Sequence, residues 1–128
     1  GLINSFNKVR NHFGMNRASQ AGALAALADQ EYLAMTIADV NAAKVRIGEI
    51  VRKYGLQPLA SAANFVTIDC GRDGEYARAL VVALTNQNIF VRMPFVAPHD
   101  RCIRVSAGRP QDIDLFEQAL PLALETLK

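Results

Sequence analysis

Between Gln30 and Tyr54 the apolar side chains fall at Leu33, Ile37, Val40, Ile47, Val51 and Tyr54, stepping by fours and threes with one interruption at Lys44. That period is helical, and it makes one face apolar. Ala43 and Val45 keep the stripe apolar past Lys44, while Glu31, Asp39, Arg46, Glu49, Arg52 and Lys53 fall mostly on the other side. Gly55 supplies the terminator. A coiled coil needs roughly three to four heptads of such a pattern, more than this stripe holds. The expectation is a helix laid along a sheet.

The rest of the chain supplies that sheet. Three runs read as short strands: 64–70 ended by Gly71, 89–92 ended by Met93-Pro94, and 102–106 ended by Gly108. A helix over 74–86 joins the first two, with Tyr76, Ala77, Leu80, Val81 and Leu84 as its inward stripe. A last helix starts at Pro110, a residue suited to a first helical position, and buries Ile113, Phe116, Leu120, Ala123 and Leu127. Pro121 inside it should kink or split it. A right-handed crossover makes the first two strands parallel, and the third is expected antiparallel between them. Upstream, Leu2, Ile3, Phe6 and Val9 mark a short helix over 2–13, closed by Gly14. Asn16 then caps a helix to Ala28 that is poor in large side chains, open to close approach by another backbone. The fold class is α/β: a small three-stranded mixed sheet with helices on one face.

Composition narrows the function classes. Apolar residues make up 51% of the 128, enough for one core, and the net charge of +2 is too small for an electrostatic nucleic-acid binder. No apolar run reaches the roughly 18 residues of a membrane-spanning helix. Gly1-Leu2-Ile3-Asn4-Ser5 lacks the basic-then-apolar pattern of a signal peptide, so a cytoplasmic location is expected. Cys70 and Cys102 have no partners at metal-ligand spacing. The chain starts with Gly1 and runs directly into amphipathic sequence, which reads as a piece of something larger.

Alternation sorts the strand side chains by face. Val66, Ile68, Ile89, Val91, Ile103 and Val105 meet the helices. Phe65, Thr67, Phe90, Arg92, Cys102, Arg104 and Ser106 fall on the other side. Arg104, mid-strand between two apolar residues, is suited to gripping a carboxylate or phosphate through two parallel hydrogen bonds. The alternative is an ion pair with Asp69 or another carboxylate across the sheet. His12 and His99 have no nucleophile beside them, and His99 in Ala97-Pro98-His99-Asp100 reads as a solvated loop residue. Both cysteines read as small apolar packing groups. Asp73 and Glu75 suit a helix N-terminus. Residues alone leave an α/β domain with an arginine-bearing sheet face.

The order of segments adds a resemblance. Phe6-Asn7-Lys8-Val9-Arg10, then Asn16-Arg17-Ala18-Ser19-Gln20-Ala21 leading to Ala28-Asp29-Gln30-Glu31-Tyr32-Leu33, Ser61-Ala62-Ala63-Asn64-Phe65-Val66, Ile89-Phe90-Val91-Arg92 and Ile103-Arg104-Val105-Ser106-Ala107-Gly108 occur in that sequence. Together they resemble the fold-type I pyridoxal-phosphate-dependent aminotransferases, class I/II, of the histidinol-phosphate-aminotransferase-like group. The resemblance implies a C-terminal part of such an enzyme, with 1–29 an interdomain helical segment at the end of the large domain and 30–128 the small domain. It implies pyridoxal 5'-phosphate as cofactor, held by a large domain that also brings the lysine forming the Schiff base. Lys8, Lys44, Lys53 and Lys128 stand outside that lysine's context, so this chain alone is expected to be inactive, with no cofactor-binding residue of its own. Arg104 matches the arginine that binds the substrate α-carboxylate, and Arg92 a position near the distal end of the substrate. Asn64 is expected to brace the strand. Met93-Pro94-Phe95 departs from the acidic or glycine-containing continuation of the histidinol-phosphate enzymes, which leaves the amino-acid substrate open. A homodimer is implied for the full-length, biosynthetic enzyme, with an amino acid and a 2-oxo acid as substrates. Two other readings stand beside it: a free-standing domain that binds a small carboxylate or regulates, and a pure dimerisation module, which gives Arg104 no role.

Overall fold

The computed structural model describes residues 1–11 and 14–128. They form two compact units, Gly1–Thr36 and Ile37–Lys128. In the first unit, α1 (Leu2–Val9) stops earlier than the apolar spacing predicts, because Arg10 is already extended at φ −68° and ψ 150°. The rest of the predicted helix includes His12 and Phe13, which lie outside the described residues. α2 (Arg17–Ala28) begins where Asn16 predicts: the Asn16 side chain accepts from the Ser19 N–H at 2.8 Å. Neither helix has a buried residue. Leu2, Ile3, Phe6, Leu24 and Leu27 are all more than 60% exposed.

α3 (Gln30–Arg52) runs through both units. Its end is a two-bond glycine cap: Gly55, at φ +76°, donates to Arg52 and Leu56 donates to Val51. Leu56 and Val51 are both in the core, which is the apolar contact that normally accompanies this cap. The predicted stripe is covered only in its C-terminal half. Ala43, Ile47, Ile50 and Val51 are buried, whereas Leu33 and Ile37 are 45% and 53% exposed.

In the second unit the sheet is β1 (Gln57–Pro58), β2 (Phe65–Asp69) and β3 (Cys102–Ser106), in that spatial order and antiparallel throughout. β1 is too short to show alternation, so it has no signature in the sequence. The expected mixed sheet is thus corrected to an antiparallel one, and the run 89–92 with it: that run forms no strand, and only Arg92 bridges to Arg104, antiparallel. Asn88 sits at φ 61° and closes α4 (Gly74–Asn86) with Schellman-type bonds, Asn88 to Thr85 and Ile89 to Leu84. That cap and Pro94 leave little extended chain between them. The expected order nevertheless holds around β3, which lies between β2 and the Arg92 bridge. Asp73 caps α4 by accepting from Tyr76 N–H at 2.9 Å.

α5 (Pro110–Glu125) remains one helix through Pro121. It buries Ile113, Phe116, Leu120 and Ala123 as predicted, with Ala119 in addition, and Leu127 is partly buried beyond its end. These side chains, with Ile47, Ile68, Leu80, Leu84 and Ile103, make the core between the sheet and α3, α4 and α5. On the outer side Arg46 of α3 reaches Asp114 and Glu117 of α5 at 2.6 and 2.9 Å, and Lys53 reaches Glu117 at 2.7 Å. Among the described residues no helix is long and apolar enough to cross a membrane.

Candidate functional site

β3 carries Arg104 with a neighbour on each side. Thr67 of β2 stands opposite it. On the other flank the Arg104 N–H donates to the Arg92 carbonyl at 2.6 Å and the Arg92 N–H returns a bond at 3.1 Å. A residue pair that exchanges both backbone bonds places its side chains on one face. The two arginines therefore rise side by side from the face turned away from the helices, as alternation predicts. Like charges directly opposite each other on a sheet oppose folding, and such a pair calls for an anion.

The expected alternative partner is taken. The Asp69 carboxylate is gripped by the Arg101 fork, with Nε at 2.9 and 3.0 Å from its two oxygens and Nη2 in close contact with Oδ2. Hydrogen bonding to Arg101, then to the Gly71 N–H, holds the Asp69 carboxyl below its usual range. Arg104 instead lies over the Phe65 ring, Cζ 4.1 Å from the centroid. Its Nε is buried without a hydrogen-bond partner. A buried unmet N–H costs about 1–3 kcal/mol. Among the described residues neither Arg92 nor Arg104 has a carboxylate partner. Arg92 and Phe90 are exposed, and Arg104 is half-buried.

Phe65 is held by its own loop. The Ser61 hydroxyl donates to the Phe65 carbonyl at 2.5 Å and accepts from the Ala63 N–H. Lys44 Nζ donates to the Ser61 carbonyl at 3.1 Å, tying α3 to the same loop. Asn64 braces the sheet through its backbone, its carbonyl accepting from Ala107 N–H at 2.9 Å. The roles of Ser61, Lys44 and Phe65 are absent from the sequence reading. The only signal was Lys44 itself, the polar break in an apolar stripe.

The other candidates sit apart from this face. His99 is exposed in a short 3-10 turn, 99–101, as a loop histidine should be. Cys70 packs in the core, where burial pushes its thiol up to about 12. Cys102, on the face that alternation gives it, is buried too, as a small apolar packing group should be. Of the lysines, Lys44 and Lys53 are engaged with Ser61 and Glu117, while Lys8 and Lys128 are exposed near the two ends of the chain. Among the described residues no three His, Cys, Asp or Glu side chains converge as a metal site.

No family model matches the chain. Curated relatives do. Histidinol-phosphate aminotransferase 1 of Cupriavidus pinatubonensis is 33% identical over 124 residues, 97% of this chain and 33% of the relative. Histidinol-phosphate aminotransferase 1 of Mesorhizobium japonicum is 33% identical over 89% of this chain and 30% of its own length. A solved structure, the histidinol-phosphate aminotransferase of Sinorhizobium meliloti in complex with pyridoxal-5'-phosphate, is 48% identical with a TM-score of 0.92. That match covers 98% of this chain and 34% of that one. The chain thus spans about a third of the length of the proteins it matches. In sequence and in fold it belongs to the histidinol-phosphate-aminotransferase-like group of fold-type I aminotransferases, as a C-terminal domain.

Proposed function

We propose that this chain is the substrate-gripping part of a longer pyridoxal-phosphate-dependent aminotransferase, which moves an amino group between an amino acid and a 2-oxo acid. One observation carries the reading: Arg104, half-buried, stacked on Phe65 and without a carboxylate partner among the described residues, stands beside Arg92 on an open sheet face. A guanidinium fork of this kind matches a carboxylate with two parallel hydrogen bonds. Arg104 takes the α-carboxylate, and fixing that group sets the direction of the substrate Cα–H bond. Arg92, exposed, meets the far end of the substrate, where a phosphate or a second carboxylate is equally well matched. The relatives' names point to histidinol phosphate, whose anionic group is a phosphate.

The residues here do not themselves fit the cofactor. Lys44 and Lys53 are committed to other partners, and Lys8 and Lys128 are exposed near the two ends of the chain. The cofactor belongs to the remainder of the protein, where it supplies the electron sink for amino transfer. Residues 1–29, with no buried side chain among the described residues, are the interdomain segment that this remainder covers, and 30–128 the small domain. The full-length enzyme is a homodimer.

The test is made in the full-length enzyme. Arg104→Ala lowers kcat/KM for the amino acid by about 2–5 kcal/mol, the usual loss when one partner of a buried charge pair is removed. Arg104→Lys recovers part of it, and cofactor absorbance is unchanged in both. An unaltered kcat/KM removes Arg104 from the substrate site.

A further inference from the structure

Among the described residues Phe65 is the aromatic ring that lies over the Arg104 guanidinium. In the β2–β3 register Phe65 pairs with Ser106 and Thr67 with Arg104, so Phe65 is the diagonal neighbour of Arg104. Aromatic side chains span that diagonal distance. The centroid separation of 4.1 Å is a cation–π contact. The Arg104 Nε has no hydrogen bond, and Arg104 forms no ion pair among the described residues. The Phe65 backbone is itself held, through the Ser61 hydroxyl on the Phe65 carbonyl and Lys44 on the Ser61 carbonyl.

We infer that Phe65 is a positioning residue for substrate binding: its ring holds the Arg104 guanidinium in the orientation that meets the substrate carboxylate. The inference rests on the reading of Arg104 as the carboxylate-binding residue. The ring lies against one face of the guanidinium, which limits rotation of the plane that carries its N–H groups. Stacking also shields that face from water without offering an acceptor that would compete with the ligand. Arg104 is thereby pre-set before substrate arrives, and less side-chain freedom is lost on binding.

The experiment uses the full-length enzyme and two amino donors, an amino acid and the corresponding amine lacking the carboxylate. Phe65→Leu raises KM for the amino acid roughly 3- to 30-fold, the range of a cation–π contact from exposed to desolvated. It leaves kcat/KM for the amine unchanged, and Phe65→Trp or Phe65→Tyr restores the amino-acid value. Phe65→Ile serves if the leucine variant is insoluble. Equal losses on both donors make Phe65 a merely structural residue and overturn the inference, as does an amino-acid KM within twofold of the parent. Arg104→Ala, measured alongside, separates the two ideas. If it does not lower amino-acid kcat/KM, the carboxylate role of Arg104 fails first. If it does while Phe65→Leu is silent, only the positioning role fails.

Discussion

Gly55 ends α3 at φ +76°, with open space where a Cβ would stand. A side chain there meets no neighbour, so its cost is the backbone conformation alone. Gly55→Ala is expected to lower the unfolding free energy by about 1–2 kcal/mol, measured by urea denaturation with the slope unchanged. Single residues such as this glycine, Asn16 and Asp73 were legible because their role depends on neighbours within a few positions. Phe65 and Lys44 were not, because each acts across elements. The stacking of Phe65 on Arg104 depends on which strands pair and in what register. Lys44 looked like a defect in its stripe until the 61–65 loop was folded against α3.

Among the elements, α4 matches its expected bounds, since a cap, a stripe and a polar end agree at Gly74–Asn86. The 89–92 run shows the converse. Its apolar pattern is a strand's, but a left-handed Asn88 and Pro94 leave one bridging residue. α3 divides the other way: its periodicity is uniform, yet only the C-terminal half is covered. Ile47 is fully buried and Ile37 is 53% exposed. In this chain Ile47→Ala is expected to cost about 2–5 kcal/mol and Ile37→Ala less than about 0.5. Chemical denaturation of the two variants side by side checks this. A cost at Ile37 similar to that at Ile47 would mean that the isolated chain covers the whole stripe.

Over the whole molecule the ion pairs set the response to acid. Hydrogen bonds from Lys53 and Arg46 hold the Glu117 carboxyl below its usual range, as Arg101 does for Asp69. A lowered carboxyl contributes its full stabilisation above the unfolded value, near 4, and loses it as pH falls through the depressed one. The raised values of Arg46, Lys53 and Arg101 have the opposite sign and matter only on the strongly alkaline side. The Tm is therefore expected to be flat from about pH 8 to pH 5 and to fall below about pH 4. Glu117→Gln lowers it at neutral pH and makes no difference at about pH 2, where Glu117 is itself protonated. Circular-dichroism melts across that range decide it, and a deficit that persists in acid would show that packing, not charge, links α3 to α5 there. The two buried cysteines have a practical consequence. Cys70 and Cys102 are 5% and 3% exposed, and burial raises both thiols. Thiolate is the reactive form, so a brief pulse of a thiol reagent is expected to pass over folded molecules and tag both sulfurs in unfolded ones. Mass spectrometry then counts zero or two adducts per chain. The native sequence thus carries its own built-in clock for opening of the 37–128 unit, and a single introduced surface cysteine can take a dye with no native thiol removed.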